Sequence, residues 1–232
     1  MPTLYITGGE IRYKTIPLYP GCKRINKEIA FENLLLVRDV LNNKGVSFML
    51  IAGTLLGAVR EKDFIAHDED VDIAFVDEDK QKVFDTLPDL IEIGFQIARF
   101  DRRGLLSIMR KGEYIDFYFF SQYTSRIRSC GGWLVLDEFL TRTTEIDFKG
   151  ETFKVPKDYI GFLRCEYGES WQIPAQWFDY NMPKWKIVLL NIKEYIKDML
   201  PDAIYFLLAK RSELAMIRKY ERKINVYLNG NK

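Results

Sequence analysis

Two short stretches hold most of the residues able to do chemistry. The first is Gly53-Thr54-Leu55-Leu56-Gly57-Ala58-Val59-Arg60, and the second, after a polar loop, is His67-Asp68-Glu69-Asp70-Val71-Asp72-Ile73. Small residues after an apolar run let a backbone come close to a phosphate. Asp70 and Asp72 stand two apart at the start of an apolar strand, so their carboxylates share one face. Two hard oxygen donors on one face suit Mg²⁺, with Mn²⁺ as the alternative ion. The chemistry that follows is metal-dependent phosphoryl transfer. A solvated acidic loop would spell much the same sequence, and spacing alone leaves both readings open. Asp116 adds a third carboxylate, set among Ile115, Phe117, Phe119 and Phe120. A carboxylate in such company needs a basic partner or an open site, unless its side of the strand faces water. With Asp70 and Asp72 it completes a set able to hold two Mg²⁺ ions, or one ion beside a base.

The remaining composition narrows the catalytic options. His67 is the only histidine, which excludes multi-histidine metal sites, leaves one possible imidazole base and rests catalysis mainly on carboxylates. The three cysteines, Cys22, Cys130 and Cys165, are far apart with no metal-ligand spacing, which fits a reducing compartment and no disulfide framework. The N-terminus lacks a signal-peptide pattern and no apolar run reaches the length of a bilayer span, so a cytoplasmic location is expected. A formal net charge of +1 gives no argument for nucleic acid as a partner. The average hides a polarity: residues 184–232 carry 11 Lys plus Arg against 5 Asp plus Glu, and the chain before them 23 against 28.

The elements that must position these residues can be read in order. Apolar residues at helical spacing predict a helix over 25–43, stopped by Asn42-Asn43-Lys44-Gly45. The apolar run 46–52 predicts a buried strand, 54–60 a short helix, 71–76 the acidic strand, and 79–92 a second helix. Strands are expected over 94–100, 105–110 and 114–120, the last two joined as a hairpin through Lys111-Gly112-Glu113. The pattern is α/β, a mixed sheet with an antiparallel portion. Two helices separated by Pro201 are expected over 185–199 and 203–227. Their apolar faces are expected to cap the catalytic core. The competing reading makes Lys210, Arg211, Arg218, Lys219, Arg222 and Lys223 a positive surface for anionic lipid at the cytoplasmic face. The domains are therefore 1–183, catalytic, and 184–232, a basic helical extension packing on it.

The Gly53-to-Arg60 stretch and Asp68-Glu69-Asp70-Val71-Asp72-Ile73, with Phe64-Ile65 and Ile115-Asp116-Phe117, resemble the LicD family of phosphotransferases, to which fukutin-type proteins also belong. Further matches are Phe148-Lys149-Gly150, Val155-Pro156-Lys157-Asp158, Phe162-Leu163 and Tyr167-Gly168 up to Trp171 and Pro174. The resemblance runs over residues 31–174. It implies a nucleotidyltransferase-like core with flanking helices and transfer of a phospho-alcohol, such as phosphocholine, from a CDP-activated donor to a glycan hydroxyl with release of CMP. The acceptor would be a glycan or lipid-linked glycan of a polysaccharide or glycoconjugate. Asp63 departs from the pattern, standing where the family commonly has glycine.

In that reading Asp70 and Asp72 ligate the Mg²⁺ that bridges the donor's pyrophosphate. Asp116 either completes a second metal position or accepts the proton of the attacking hydroxyl. Asp68 is a further ligand or supports one. Backbone N–H groups at Gly53 and Thr54 cradle a phosphate, and Arg60 either grips a phosphate oxygen or balances the aspartates. Lys62 either reaches a phosphate or pairs with Asp63. His67 is a structural neighbour of the cluster or a base, and Tyr167 and Trp171 shape the nucleotide or head-group pocket or belong to the core. Two other functions use the same features: nucleotidyl transfer with release of pyrophosphate, and glycan binding without catalysis.

Overall fold

The computed structural model describes residues 1–18, 24–174 and 183–230, so Cys22 lies outside the described residues. Cys130 and Cys165 are free thiols. Helix α1, Lys27–Asn43, starts where the Asn26 side chain accepts the backbone N–H groups of Glu28 and Ile29, and it buries Ala30, Leu34, Val37 and Leu41. The apolar run after it is buried, but only Met49–Leu50 forms strand β3, below the expected length. The chain leaves the sheet at Ala52, whose φ of +48° turns it into α2, Ala52–Arg60.

Strands β1, Thr3–Ile6, and β2, Gly9–Arg12, form a separate hairpin ahead of α1. After α2 comes β4, Val71–Val76, with the bounds the sequence predicts. The single helix expected over 79–92 is broken into a 3-10 turn, Asp77–Asp79, then α3, Lys80–Phe84, and α4, Leu87–Glu92. Pro88 in the first turn of α4 has no N–H to donate to the Phe84 carbonyl at the end of α3, and the Thr86 N–H and hydroxyl both close α3 on the Val83 carbonyl, at 3.0 and 2.7 Å.

The main sheet is completed by β5, Gln96–Asp101, β6, Leu105–Arg110, and β7, Glu113–Thr124. A two-residue turn with positive φ at Lys111 and Gly112 joins β6 to β7. The path runs β3-β4-β7-β6-β5, with β4 and β7 parallel and the other pairs antiparallel. Beyond residue 120 the long β7 pairs with β8, Ile127–Cys130, which pairs with β9, Trp133–Leu136. Alternation divides β7: Phe117 and Phe119 pack on Phe75 of β4, at ring-centroid distances of 5.3 and 5.2 Å, while Tyr114, Asp116 and Tyr118 line a cavity. Helix α5, Asp137–Thr141, the hairpin of β10, Thr143–Phe148, and β11, Glu151–Pro156, and helix α6, Tyr159–Tyr167, close the other side.

The C-terminal helices are α7, Lys184–Met199, and α8, Asp202–Gly230. Helix α8 docks partly through an apolar face, with Tyr220 and Ile224 in the core and Ile217 and Tyr227 packed against it, whereas α7 does not dock as the sequence leads one to expect. Helix α7 has no buried residue and α8 buries only Tyr205, Tyr220 and Ile224. Polar contacts do much of the anchoring: the Arg102 guanidinium donates to the Leu200 carbonyl and to Asp202, both at 2.8 Å, and the Tyr195 hydroxyl to the Thr15 carbonyl at 2.8 Å. The Tyr220 hydroxyl and Lys223 Nζ both donate to Glu166 at the end of α6, each at 2.9 Å.

Candidate active site

The sheet register builds the site. Asp72 of β4 stands opposite Asp116 of β7, Asp116 opposite Ser107 of β6, and Ser107 opposite Arg99 of β5, so four polar residues cross four strands in one line. Arg99 Nη2 donates to Asp116 Oδ2 at 3.0 Å, Arg99 Nε donates to Ser107 Oγ at 2.9 Å, and the Ser107 hydroxyl donates to Asp116 Oδ1. Asp116 therefore has the basic partner that its apolar neighbours demand. Asp70 precedes β4 and lines the same cavity, as do Arg99, Tyr114 and Tyr118.

Helix α2 supports this line from the side. The Gly53 N–H donates to Asp72 Oδ2 at 3.0 Å, and the Asp72 N–H donates to Thr54 Oγ1 at 2.8 Å. A Cβ at Gly53 would lie 2.6 Å from Asp68 Oδ2, so any larger residue there would displace that carboxylate. The Gly53 N–H is thus directed at a carboxylate, and Thr54, fully buried, is directed at the acidic strand's backbone. Both hold Asp72 in position, and Thr54 is absent from the cavity wall.

The cavity measures about 790 Å³. Arg60, His67, Asp68, Tyr167 and Trp171 line it, and α8 contributes Lys219 and Lys223. Arg60 is fixed by bonds to the Trp171 carbonyl at 3.2 Å and to Glu61 at 2.7 Å, which makes it part of the wall. Lys62 is not brought to the cavity: it is exposed in the turn after α2. Asp63 is held instead by Lys27 and Lys149, at 2.9 and 2.7 Å.

The carboxylates gather negative charge that the described residues only partly offset. Burial pushes Asp70 well above the usual carboxylate range, and Asp72, Asp116 and Asp68 raise it further against the pull of Arg99. Asp72 is raised by burial and by Asp68 and Asp116, and lowered by the Gly53 N–H and the Tyr118 hydroxyl. Burial lifts Asp68 to about 6, and its Oδ2 is buried without a hydrogen-bond partner. A bound cation would offset the charge of such a cluster.

The family described as LicD/FKTN/FKRP, nucleotidyltransferase domain, matches residues 45–164, more than half of the chain. The chain belongs to the LicD family. Human Ribitol-5-phosphate transferase FKTN is 26% identical over 167 residues, covering 67% of this chain and 36% of that protein. Uncharacterized protein RT0683 of Rickettsia typhi is 32% identical over 97 residues, covering 40% of this chain and 31% of its own length. The chain thus spans about a third of the length of these relatives. Among solved structures, lincomycin-bound lincosamide antibiotic adenylyltransferase LnuA aligns with a TM-score of 0.43 at 14% identity, over 70% of this chain and 94% of that one.

Within this LicD-family site the donor set fits Mg²⁺ in a particular way. Among the described residues no three His, Cys, Asp or Glu side chains form a closed metal-binding group. Mg²⁺ does not need one, since it is commonly held by one or two carboxylates together with waters and substrate phosphates. Asp70 and Asp72 supply two such carboxylates, and the unpartnered oxygen of Asp68 stands beside them. Sequence reasoning missed Arg99, Ser107, Glu166, Tyr114 and Tyr118. The two tyrosines carried a signal, because they sit two residues either side of Asp116 on the same strand. Arg99 and Ser107 carried none, since only the antiparallel register brings them to Asp116. Lys219 and Lys223 were visible only as part of a basic helix.

Proposed function

We propose that this chain transfers a phospho-alcohol group from a CDP-activated donor to a glycan hydroxyl, releasing CMP, with Mg²⁺ held by Asp70 and Asp72. The observation that carries the proposal is the parallel pairing of β4 and β7, by which Asp72 and Asp116 stand side by side on the cavity face of a LicD-family sheet. The name of the human relative, a ribitol-5-phosphate transferase, supports the phospho-alcohol class. Bound there, Mg²⁺ would neutralise charge on the donor's pyrophosphate.

The protein's own groups divide the remaining work. Asp116 accepts bonds from Ser107 and Arg99 on separate oxygens, which fixes its plane and leaves lone pairs for an incoming hydroxyl. It takes the proton as the hydroxyl oxygen bonds to phosphorus, and the bond from phosphorus to the CMP oxygen breaks. Lys219 gives the cavity wall positive charge for the donor's phosphates, beside Lys223 held on Glu166, and Tyr167 and Trp171 offer ring surface to the base or head group. Gly53 and Thr54 hold Asp72 and need not touch the donor.

The test is incubation with CDP-ribitol, CDP-glycerol, CDP-choline and CDP-ethanolamine, following CMP with Mg²⁺ or Mn²⁺ and with EDTA. CMP from at least one donor, abolished by EDTA, is the expected result. Pyrophosphate from CTP and a phospho-alcohol would assign nucleotidyl transfer instead. Silence in both assays would leave the glycan-binding reading.

A further inference from the structure

Helix α7 turns most of its apolar residues away from the body and buries none of its side chains. Its half-buried side carries Asn191, Glu194, Lys197 and Asp198 beside only Ile187 and Leu190, so both of its acids turn toward the body. Glu194 pairs with Lys197 at 2.6 Å, and Asp198 accepts the Thr15 hydroxyl. The outward side presents Trp185, Val188, Leu189, Ile192, Ile196 and Met199, between 46% and 83% exposed. Their spacing is that of one continuous stripe along the helix. Across Pro201 the first turns of α8 continue the pattern with exposed Ile204, Leu207 and Leu208 beside Lys210 and Arg211.

An apolar stripe over four helical turns is far beyond the scattered exposed side chains of ordinary surfaces. Its charged neighbours identify what covers it. The exposed charges of α7 are Lys184, Lys186 and Lys193, all basic. A second copy meeting this face about a two-fold axis would bring like charges together. A lipid surface with anionic headgroups brings the opposite charge and an apolar layer at the depth the stripe requires, and Trp185 suits the boundary between them. No described helix is long and apolar enough to cross a membrane, so the contact is one of lying on the surface. From this geometry we infer that the outward face of α7, continued by the start of α8, binds the surface of an anionic lipid bilayer.

Vesicle flotation of the full chain tests this, using phosphatidylcholine alone and an equal mixture with phosphatidylglycerol. The chain should float with the mixed vesicles at low salt and bind phosphatidylcholine at least about tenfold more weakly. The pair Ile192→Asp and Ile196→Asp should weaken binding by about tenfold or more. The triple change Lys184→Glu, Lys186→Glu and Lys193→Glu should do the same and remove the salt dependence. All five positions are exposed, and circular dichroism checks that each variant folds. No flotation at low salt overturns the inference, as does flotation unchanged by the isoleucine pair. A dimer in sedimentation that dissociates on the isoleucine changes, without flotation of the parent chain, would assign the face to a second copy and overturn it equally.

Discussion

Arg99 and Asp116 meet across an intervening strand, guanidinium Nη2 to carboxylate Oδ2 at 3.0 Å, and Ser107 on that strand bonds to both. Asp116 is 2% exposed, so it depends on this partner. Arg99→Gln should cost about 3 kcal/mol of stability at neutral pH, because it leaves a buried carboxylate beside two others. Asp116→Asn alone should cost less, since Arg99 keeps its bond to Ser107. The double variant should be more stable than the sum of the single losses, as a denaturant double-mutant cycle will show. Strictly additive losses would mean that the pair is not coupled.

Asp70 and Asp72 should respond differently to removal although both are expected to hold the metal. Asp70 is raised by burial and by its acidic neighbours, so its ionised form costs folded-state stability as pH rises. Asp70→Asn does not ionise and should raise the melting temperature of the metal-free chain at neutral pH. Asp72→Ala strands the Gly53 N–H that Asp72 accepts and should bring no such gain. CMP release with Mg²⁺ should fall by roughly 10²–10³-fold in either variant. Near-normal turnover would remove the substituted residue from the mechanism.

Two glycines of α2 separate function from stability. A Cβ at Gly53 meets the Asp68 carboxylate at 2.6 Å, the mobile end of a side chain, whereas one at Gly57 meets the Asp63 backbone carbonyl at 2.5 Å and the Ile65 nitrogen at 3.1 Å. Gly53→Ala should therefore unfold near the parent's denaturant midpoint while losing activity, because Asp68 is pushed out of the cluster. Gly57→Ala should cost about 2 kcal/mol in the same unfolding experiment, because a backbone must shift. Equal stability losses would show that the α2 start yields as little as its middle.

The local elements were legible where side-chain periodicity alone fixes them. Strands β4 and β6 have their expected bounds, and α1 begins within two residues of the expected start. Pairing was not legible, because nothing in 71–76 or 113–124 specifies that these strands lie parallel and in the register that sets Asp72 beside Asp116. The same limit hid Arg99, which reaches the site only through two antiparallel registers. The stretch 46–52 read as a strand from its apolar content, yet burial without pairing satisfies the same pattern. Amphipathicity located α7 and α8 but is silent about which side turns inward. Asp198 finds a partner on the body in Thr15, Glu194 pairs with Lys197 of the same helix, and their side is the one that docks.

Asp101 ties the end of β5 to α8 and should govern acid stability. Its Oδ1 accepts the Tyr205 hydroxyl at 2.5 Å, and its Oδ2 accepts Arg103 Nη2 at 2.7 Å. Burial pushes the carboxyl up, but Arg103 and the Tyr205 hydroxyl more than offset this and hold it at about 2. A group lowered on folding stabilises the protein above its unfolded value, near 4, and the benefit is lost as pH falls toward 2. The shift corresponds to roughly 2 kcal/mol. With side chains only 15% and 17% exposed, solvent screening takes little from the pair. Asp101→Asn should lose about that much at pH 7 in urea unfolding, and its stability should fall less steeply than the parent's between pH 4 and 2. Tyr205→Phe should lose only the hydroxyl bond, about 1 kcal/mol, and keep the acid dependence that Arg103 supplies. A parent chain whose stability does not change between pH 4 and 2 more steeply than that of Asp101→Asn would show that Arg103 does not hold this carboxylate ionised in the fold; an unchanged stability in Tyr205→Phe would show that it does not anchor α8.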